Sequence, residues 1–164
     1  MKKLAILPGS FDPMTLGHLE LVRRAARDYE RLVIAVMVNP DKRTRFTPEE
    51  RVEIARRTVA DIPQAEVLFD GGLLIDLYDR LGADAVVKGY RDRNDLAYEQ
   101  KMAAWNRSRN RNFRTVLIQA EPQFADISST EVRRRLDAGG DIRMLVHPDA
   151  LELIKGKRQL GGRE

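Results

Sequence analysis

Four parts of this sequence carry glycine, hydroxyl and basic side chains at spacings suited to binding an anion. The first part has Gly-Ser-Phe-Asp-Pro at residues 9–13 and Thr-Leu-Gly-His at residues 15–18, and the others are residues 39–42, 88–91 and 127–130. Backbone N–H groups at helix starts, hydroxyl groups and cations all stabilise negative charge, and glycine permits a close approach of the backbone. We expect four positive donors around one site, a number that favours a phosphate over a carboxylate. They are His18, Lys42, Lys88 and Arg91.

The elements that must position these segments alternate between strands and helices. Apolar runs rich in β-branched residues predict five strands, at residues 4–7, 32–38, 66–69, 85–87 and 115–118. Helical spacing predicts helices at residues 17–29, 48–60, 73–81, 95–108, 129–137 and 148–155. This order predicts a doubly wound five-stranded parallel sheet with helices on both faces, a Rossmann-like α/β fold. Because ligands of such sheets bind beyond the carboxyl ends of the strands, the four segments should converge on one rim.

Local signals predict where several helices begin and end. Residues 47–50 and 128–131 each have the form Ser/Thr-x-x-Glu, which predicts two capping boxes. Gly139 and Gly140 predict the end of the fifth helix. We expect the Gly-rich tail after the last helix to fray.

Length and composition are typical of a single globular domain spanning residues 1–164. Of the 164 residues, 43% are hydrophobic and 33% are charged, and no low-complexity stretch marks a linker. The lack of cysteine excludes disulfides, thiolate catalysis and cysteine-based zinc sites. The net charge of +4 suits anionic ligands. The first apolar stretch is too short for a secretory signal or a membrane span, so we expect a cytoplasmic protein with no membrane partner.

The first and last of these segments resemble the two signatures of the nucleotidylyltransferase superfamily. Residues 9–18 look like its nucleotide-binding signature, and residues 127–133 look like its second signature. Residues 46–51, 88–91 and 95–107 further resemble the phosphopantetheine adenylyltransferases. The resemblance runs in register along most of the chain.

The resemblance implies transfer of AMP from ATP to 4′-phosphopantetheine, which gives dephospho-CoA and pyrophosphate in coenzyme A biosynthesis. It also implies Mg²⁺ held mainly through the ATP phosphates, dephospho-CoA or CoA as product or inhibitor, and a homohexamer. The residues that it implies for ATP binding are Ser10, Phe11, His18, Gly89, Tyr90, Arg91, Glu99, Phe124, Ala125, Asp126, Ile127, Ser128, Ser129 and Thr130. Those that it implies for acceptor binding are Ser10, Lys42, Leu74 and Lys88.

Such a reaction needs alignment and charge stabilisation more than it needs a protein nucleophile. The acceptor phosphate is ionised at neutral pH, so it can attack the α-phosphorus without a general base. We assign to His18 the role of the hydrogen-bond donor that stabilises charge on the α-phosphoryl group. Lys42 and Lys88 would screen the negative charge of the incoming phosphate. Arg91 and the start of the fifth helix, from Ser128 to Thr130, would hold the β- and γ-phosphates.

Three other interpretations stay open at this point. Residues 127–133 are also close to the nicotinate mononucleotide adenylyltransferases, although residues 88–107 favour the pantetheine enzymes. A basic nucleic-acid-binding domain would use the arginines of residues 107–114, but that segment has one aromatic residue, Phe113, so we expect no nucleic-acid partner. A metabolite sensor would bind ATP and CoA without turnover. A class I aminoacyl-tRNA synthetase shares the Gly-His helix start, but the chain has no room for its other domains.

Overall fold

The computed structural model describes residues 2–160, which form a sheet of five strands and six α-helices. The strands are β1 (Lys2–Gly9), β2 (Tyr29–Met37), β3 (Ala65–Asp70), β4 (Ala85–Tyr90) and β5 (Thr115–Gln119). The α-helices are α1 (Leu16–Ala25), α2 (Pro48–Thr58), α3 (Leu74–Leu81), α4 (Arg93–Arg109), α5 (Ser129–Ala138) and α6 (Pro148–Leu160). None of the helices in this part of the chain has the length and apolar composition needed to cross a bilayer.

The sheet has the order β3-β2-β1-β4-β5, and every neighbouring pair is parallel. The chain first builds outward from β1 to β3 and then crosses back to place β4 on the other side of β1. This reversal separates the loops that follow β1 and β4 and opens a crevice between them. The predicted doubly wound parallel sheet is confirmed.

Both faces of the sheet are buried, because neighbouring residues of the central strands pack into different cores. In β2, Leu32, Ile34 and Val36 belong to one core, whereas Val33 and Ala35 belong to the other. The first core receives side chains from α1, α2, α5 and α6, and the second receives them from α3. Such continuous apolar strands are typical of parallel sheets covered on both faces.

Several helix boundaries differ from the sequence prediction. Helix α1 ends at Ala25, and Tyr29, which was predicted to end it, begins β2. Tyr29 is 3% exposed and pairs with Lys2 of β1, so tertiary packing and strand pairing outweigh its local helical pattern. An unpredicted 3₁₀ turn spans Pro122–Phe124. Helix α6 extends past residue 155 to Leu160, and the rest of the tail predicted to fray lies outside the described residues.

The structure confirms one capping box and corrects the other. At α2, Thr47 accepts a hydrogen bond from the Glu50 N–H, and the Glu50 carboxylate accepts one from the Thr47 N–H. At α5, Ser128 accepts from the Glu131 N–H, but the Glu131 carboxylate accepts from Arg134 and Arg135 instead. The reciprocal hydrogen bond, from the Ser128 N–H to the Glu131 carboxylate, is missing because two arginines of the same helix compete for this carboxylate. Gly139, in a left-handed conformation, ends α5 as predicted.

Candidate active site

One cleft of about 340 Å³ opens at the carboxyl ends of the central strands and receives residues from all four segments. Most of the predicted site residues line this cleft: Ser10, Phe11, His18, Lys42, Lys88, Gly89, Tyr90, Arg91, Phe124, Ile127, Ser128, Ser129 and Thr130. Four others lie outside its lining, namely Leu74, Glu99, Ala125 and Asp126. Leu74 packs with the core beneath α3, and Glu99 lies beside Lys88. The structure thus brings the histidine, the lysines and the serine-rich segment together.

The ring of His18 is held by the N-terminus of α1. Thr15 caps this helix, and its Oγ1 accepts a hydrogen bond from the His18 N–H at 3.3 Å. In return, the Thr15 N–H donates to Nδ1 of His18 at 3.0 Å. Because Nδ1 accepts this bond, the proton of a neutral ring must be on Nε2, which makes Nε2 a hydrogen-bond donor. Phe11 packs against the ring edge to face, with 5.0 Å between the ring centroids.

The imidazole of His18 is neutral at neutral pH. Burial, followed by the positive charges of Lys88 and Arg91, lowers the pKa of His18 from 6.5 to about 4. The expectation of a fourth positive donor at His18 is therefore wrong, because two neighbouring cations and the loss of water both disfavour a charged ring. A neutral Nε2–H can still donate to an oxygen, so the donor role assigned to His18 does not depend on a positive charge.

The three remaining cations differ in how they are paired. The Lys88 Nζ lies 3.3 Å from Oε1 of Glu99, whose side chain is 13% exposed. The Nε of Arg91 donates to Asp95 at 3.3 Å. Lys42 is exposed, and its ammonium has no hydrogen-bond or ion-pair partner among residues 2–156. An incoming anion would meet Lys42 directly, whereas it would have to compete with Glu99 for Lys88.

The first turn of α5 offers backbone donors more readily than hydroxyl groups. The hydroxyl of Ser128 caps the helix, that of Ser129 donates to the Pro13 carbonyl at 2.7 Å, and that of Thr130 accepts from Arg133 at 3.2 Å. All three hydroxyls predicted to bind phosphate therefore already contact the protein. The N–H groups of Ser129 and Thr130 have no partner in the described part of the chain, and the helix dipole makes this end positive.

Close packing brings the starts of α1 and α5 together. A Cβ atom on Gly17 would lie 3.1 Å from the carbonyl oxygen of Ile127, so only glycine fits there without displacement of the segment before α5. A Cβ atom on Gly9 would similarly lie 3.0 Å from the Phe11 ring. Phe11 itself has a φ of 47°, a left-handed conformation that a bulky residue keeps only when its surroundings enforce it.

Three residues that shape the cleft lie in the quoted motifs but had no role predicted from the sequence. Thr15 orients His18, and the Thr-x-x-His spacing, which parallels a capping box, could have revealed it. Arg133 lines the cleft and donates to the Asp12 carbonyl at 2.8 Å, and its position three residues after Thr130 places both on one face of α5. The buried Asp12 carboxylate accepts from the backbone N–H groups of two residues, Arg45 and Phe46.

Comparison with known proteins identifies relatives that cover most of the chain. The model of the cytidylyltransferase-like family matches residues 6–135. Phosphopantetheine adenylyltransferase of Clostridium kluyveri is 41% identical over 152 residues, which cover 92% of this chain and 93% of the relative. The enzyme of the same name from Limosilactobacillus reuteri is 38% identical over 153 residues, which cover 93% of this chain and 88% of the relative.

A solved structure shares the fold at much lower identity. This protein from Vibrio parahaemolyticus, described as a candidate nicotinate-nucleotide adenylyltransferase, has a TM-score of 0.70 and is 16% identical. The match covers 99% of this chain and 97% of the other chain. At this identity the likeness supports the fold alone, whereas the family model and the relatives near 40% identity carry the assignment. The chain belongs to the cytidylyltransferase-like family and, within it, to the phosphopantetheine adenylyltransferases.

Proposed function

We propose that this chain transfers AMP from ATP to 4′-phosphopantetheine and releases dephospho-CoA and pyrophosphate. The observation that carries the proposal is a single cleft lined by His18, Lys88 and the first turn of α5. These groups supply a neutral donor, a cation and unpartnered backbone N–H groups, a combination suited to two phosphorylated substrates. The relatives named above support the choice of acceptor.

The proposed reaction is a single displacement at the α-phosphorus of ATP. An oxygen of the acceptor phosphate forms a bond to this phosphorus, and the bond from the phosphorus to the oxygen bridging the α- and β-phosphates breaks. Pyrophosphate leaves with that oxygen, and no protein group forms a covalent intermediate. Nε2–H of His18 donates to a non-bridging oxygen of the α-phosphoryl group, where negative charge has to be stabilised during transfer.

The basic residues divide between the two substrates in this proposal. Lys42 and Lys88 screen the acceptor phosphate so that two anions can approach each other. Arg91 and the N–H groups of Ser129 and Thr130 hold the β- and γ-phosphates. When the acceptor binds, its phosphate competes with Glu99 for Lys88, so Glu99 acts through Lys88 in this scheme.

We propose that Mg²⁺ enters this cleft bound to the phosphates of ATP. Among the described residues no cluster of three or more histidine, cysteine, aspartate or glutamate side chains could hold a metal. Four carboxylates line the cleft, and those of Asp12, Asp95 and Glu121 already accept hydrogen bonds from protein groups. Glu20 is the remaining one, so most of the oxygen donors that Mg²⁺ prefers would come from the ATP phosphates. Bound there, Mg²⁺ would neutralise charge on the phosphates. The expected cytoplasmic location and inhibition by CoA stay predictions.

We also propose that the chain assembles as a homohexamer. Tyr98, Met102 and Trp105 repeat at helical spacing on α4 and are 60%, 37% and 45% exposed, which supports burial of this stripe against another copy. Sedimentation equilibrium should yield the mass of six chains, and Met102→Glu should lower that mass. A monomer at micromolar concentrations would contradict the proposal.

Measurement of pyrophosphate release with several acceptors tests the proposed activity. Purified protein with ATP and Mg²⁺ would be assayed with 4′-phosphopantetheine, nicotinate mononucleotide and glycerol 3-phosphate. We expect turnover with 4′-phosphopantetheine and little with the other two. Turnover with nicotinate mononucleotide instead would change the acceptor, and no turnover together with salt-dependent binding of random oligonucleotides would favour a nucleic-acid-binding protein.

A further inference from the structure

Arg51 is a buried cation that lies beneath the cleft without lining it. Arg51 is 2% exposed and lies on the inward face of α2. The Nη1 group donates to the carbonyl of Ser10 at 2.8 Å and to the carbonyl of Met37 at 3.4 Å. Nε has no partner among the described residues.

Packing alone is a poor explanation for a buried guanidinium at this position. Burial lowers the pKa of Arg51, which shows that its environment disfavours the charge, and the nearby carboxylate of Asp12 opposes this effect. At such a buried position, an apolar side chain of similar volume often stabilises the fold as well as a charged side chain does. The two carbonyl contacts therefore point to a role that an apolar residue could not fill.

The two carbonyls belong to segments that carry predicted substrate contacts. Ser10 lies in the turn after β1, and its carbonyl belongs to the peptide that leads into the left-handed Phe11. Met37 ends β2 and precedes the segment that carries Lys42. A trans peptide directs its N–H opposite to its C=O, so the contact with Arg51 also fixes the direction of the Phe11 N–H. One planar guanidinium thus joins the start of the Ser10 turn to the start of the Lys42 segment.

We propose that Arg51 is a positioning residue for AMP transfer, because it fixes the Ser10 turn relative to the segment that carries Lys42. This inference rests on the proposed function for its effect on catalysis. Arg51 acts through these two segments and need not touch either substrate. Misplacement of one segment by a fraction of an ångström would impair alignment of the reacting atoms more than binding of either substrate.

The test compares two variants of Arg51 with a control on the same helix. Arg51→Lys keeps the charge, but its amine ends one bond short of Nη1, the single atom that makes both carbonyl contacts. Arg51→Met loses both the charge and the donor. Arg56→Met is the matched control, since Arg56 is exposed on α2 and has no contact with the cleft. All proteins would be assayed at a temperature at which circular dichroism shows each of them folded.

We expect Arg51→Lys to lower kcat roughly tenfold or more while the KM for ATP changes by less than about threefold. Amide hydrogen exchange, which needs no substrate, should quicken in residues 9–13 and 37–45 and stay unchanged in α6. A folded Arg51→Lys with kcat within about twofold of wild type, or with unchanged exchange in both segments, would overturn the inference. Failure of both variants to fold would overturn it too, since that outcome assigns Arg51 to stability. Turnover of the wild-type protein tests the proposed function separately.

Discussion

His18 obtains its chemistry from its neighbours. The Thr15 N–H occupies Nδ1, and Lys88 and Arg91 help to keep the ring neutral, so Nε2–H is left as the donor. A neutral donor can stabilise developing charge without first releasing a proton, and it costs little reorganisation when the position of the ring is already fixed. The helix cap therefore also orients the donor that we propose for the substrate.

Loss of this donor should affect turnover more than binding. We expect His18→Ala to lower kcat by roughly 10²- to 10³-fold, the usual effect of removing one preorganised donor, with a smaller change in KM. His147→Ala is the matched control, because His147 is the other of the two histidines and lies outside the cleft lining. Steady-state pyrophosphate release measures both parameters. A kcat of His18→Ala close to that of wild type would contradict the role assigned to His18.

The charge state of His18 can be measured directly. In ¹⁵N NMR spectra recorded without nucleotide, His18 should titrate near pH 4, with the proton on Nε2 above that pH. Between pH 6.5 and 4 the unfolded chain would bind a proton that the folded chain rejects. The free energy of unfolding should therefore fall further on acidification in wild type than in His18→Gln. A midpoint near 6.5 would mean that the ring is not held neutral.

At the scale of elements, the proposed catalysis depends on the close approach of the starts of α1 and α5. Gly17, in the first turn of α1, faces the carbonyl of Ile127, which immediately precedes the cap of α5. The donors of both helix starts therefore share one small volume. A side chain between the two helices would move the N–H groups of Ser129 and Thr130 relative to His18.

Gly17→Ala should impair the nucleotide site even though alanine favours helices. The new Cβ would lie 3.1 Å from the Ile127 carbonyl oxygen, and the displaced start of α5 should raise the KM for ATP by roughly tenfold. Gly156→Ala is the matched control, because a Cβ atom there meets nothing within 4 Å. An unchanged KM for ATP in Gly17→Ala would show that the two helix starts do not bind the nucleotide together.

Element patterns made the fold predictable from sequence, because apolar periodicity extends over many residues and survives local exceptions. The prediction failed where a distant contact decides the structure, as at Tyr29, which pairs with Lys2 in the sheet. The convergence of the site residues on one cleft was predictable because glycine and basic residues follow the strand ends and His18 lies in the first turn of the helix after β1. The neutral state of His18 and the pairing of Lys88 with Glu99 depend on burial and on side chains from different elements, which spacing along the chain does not reveal.

At the scale of the whole molecule, the crossover of the chain at β1 places the proposed donors for both substrates in one cleft. ATP and the acceptor must then be bound together, and the adenylyl group can pass between them in one step. A protein nucleophile would require two steps and a covalent intermediate. The number of displacements at phosphorus therefore distinguishes these two ways of using the same fold.

The stereochemistry of AMP transfer tests this account most directly. ATPαS of one configuration at the α-phosphorus would be converted with 4′-phosphopantetheine, and the configuration of the thiophosphoryl product would be read by ³¹P NMR. A direct in-line attack inverts the configuration at this phosphorus, and we expect inversion. Retention would require two displacements and a covalent adenylyl-protein intermediate, which would contradict the proposed single-step transfer.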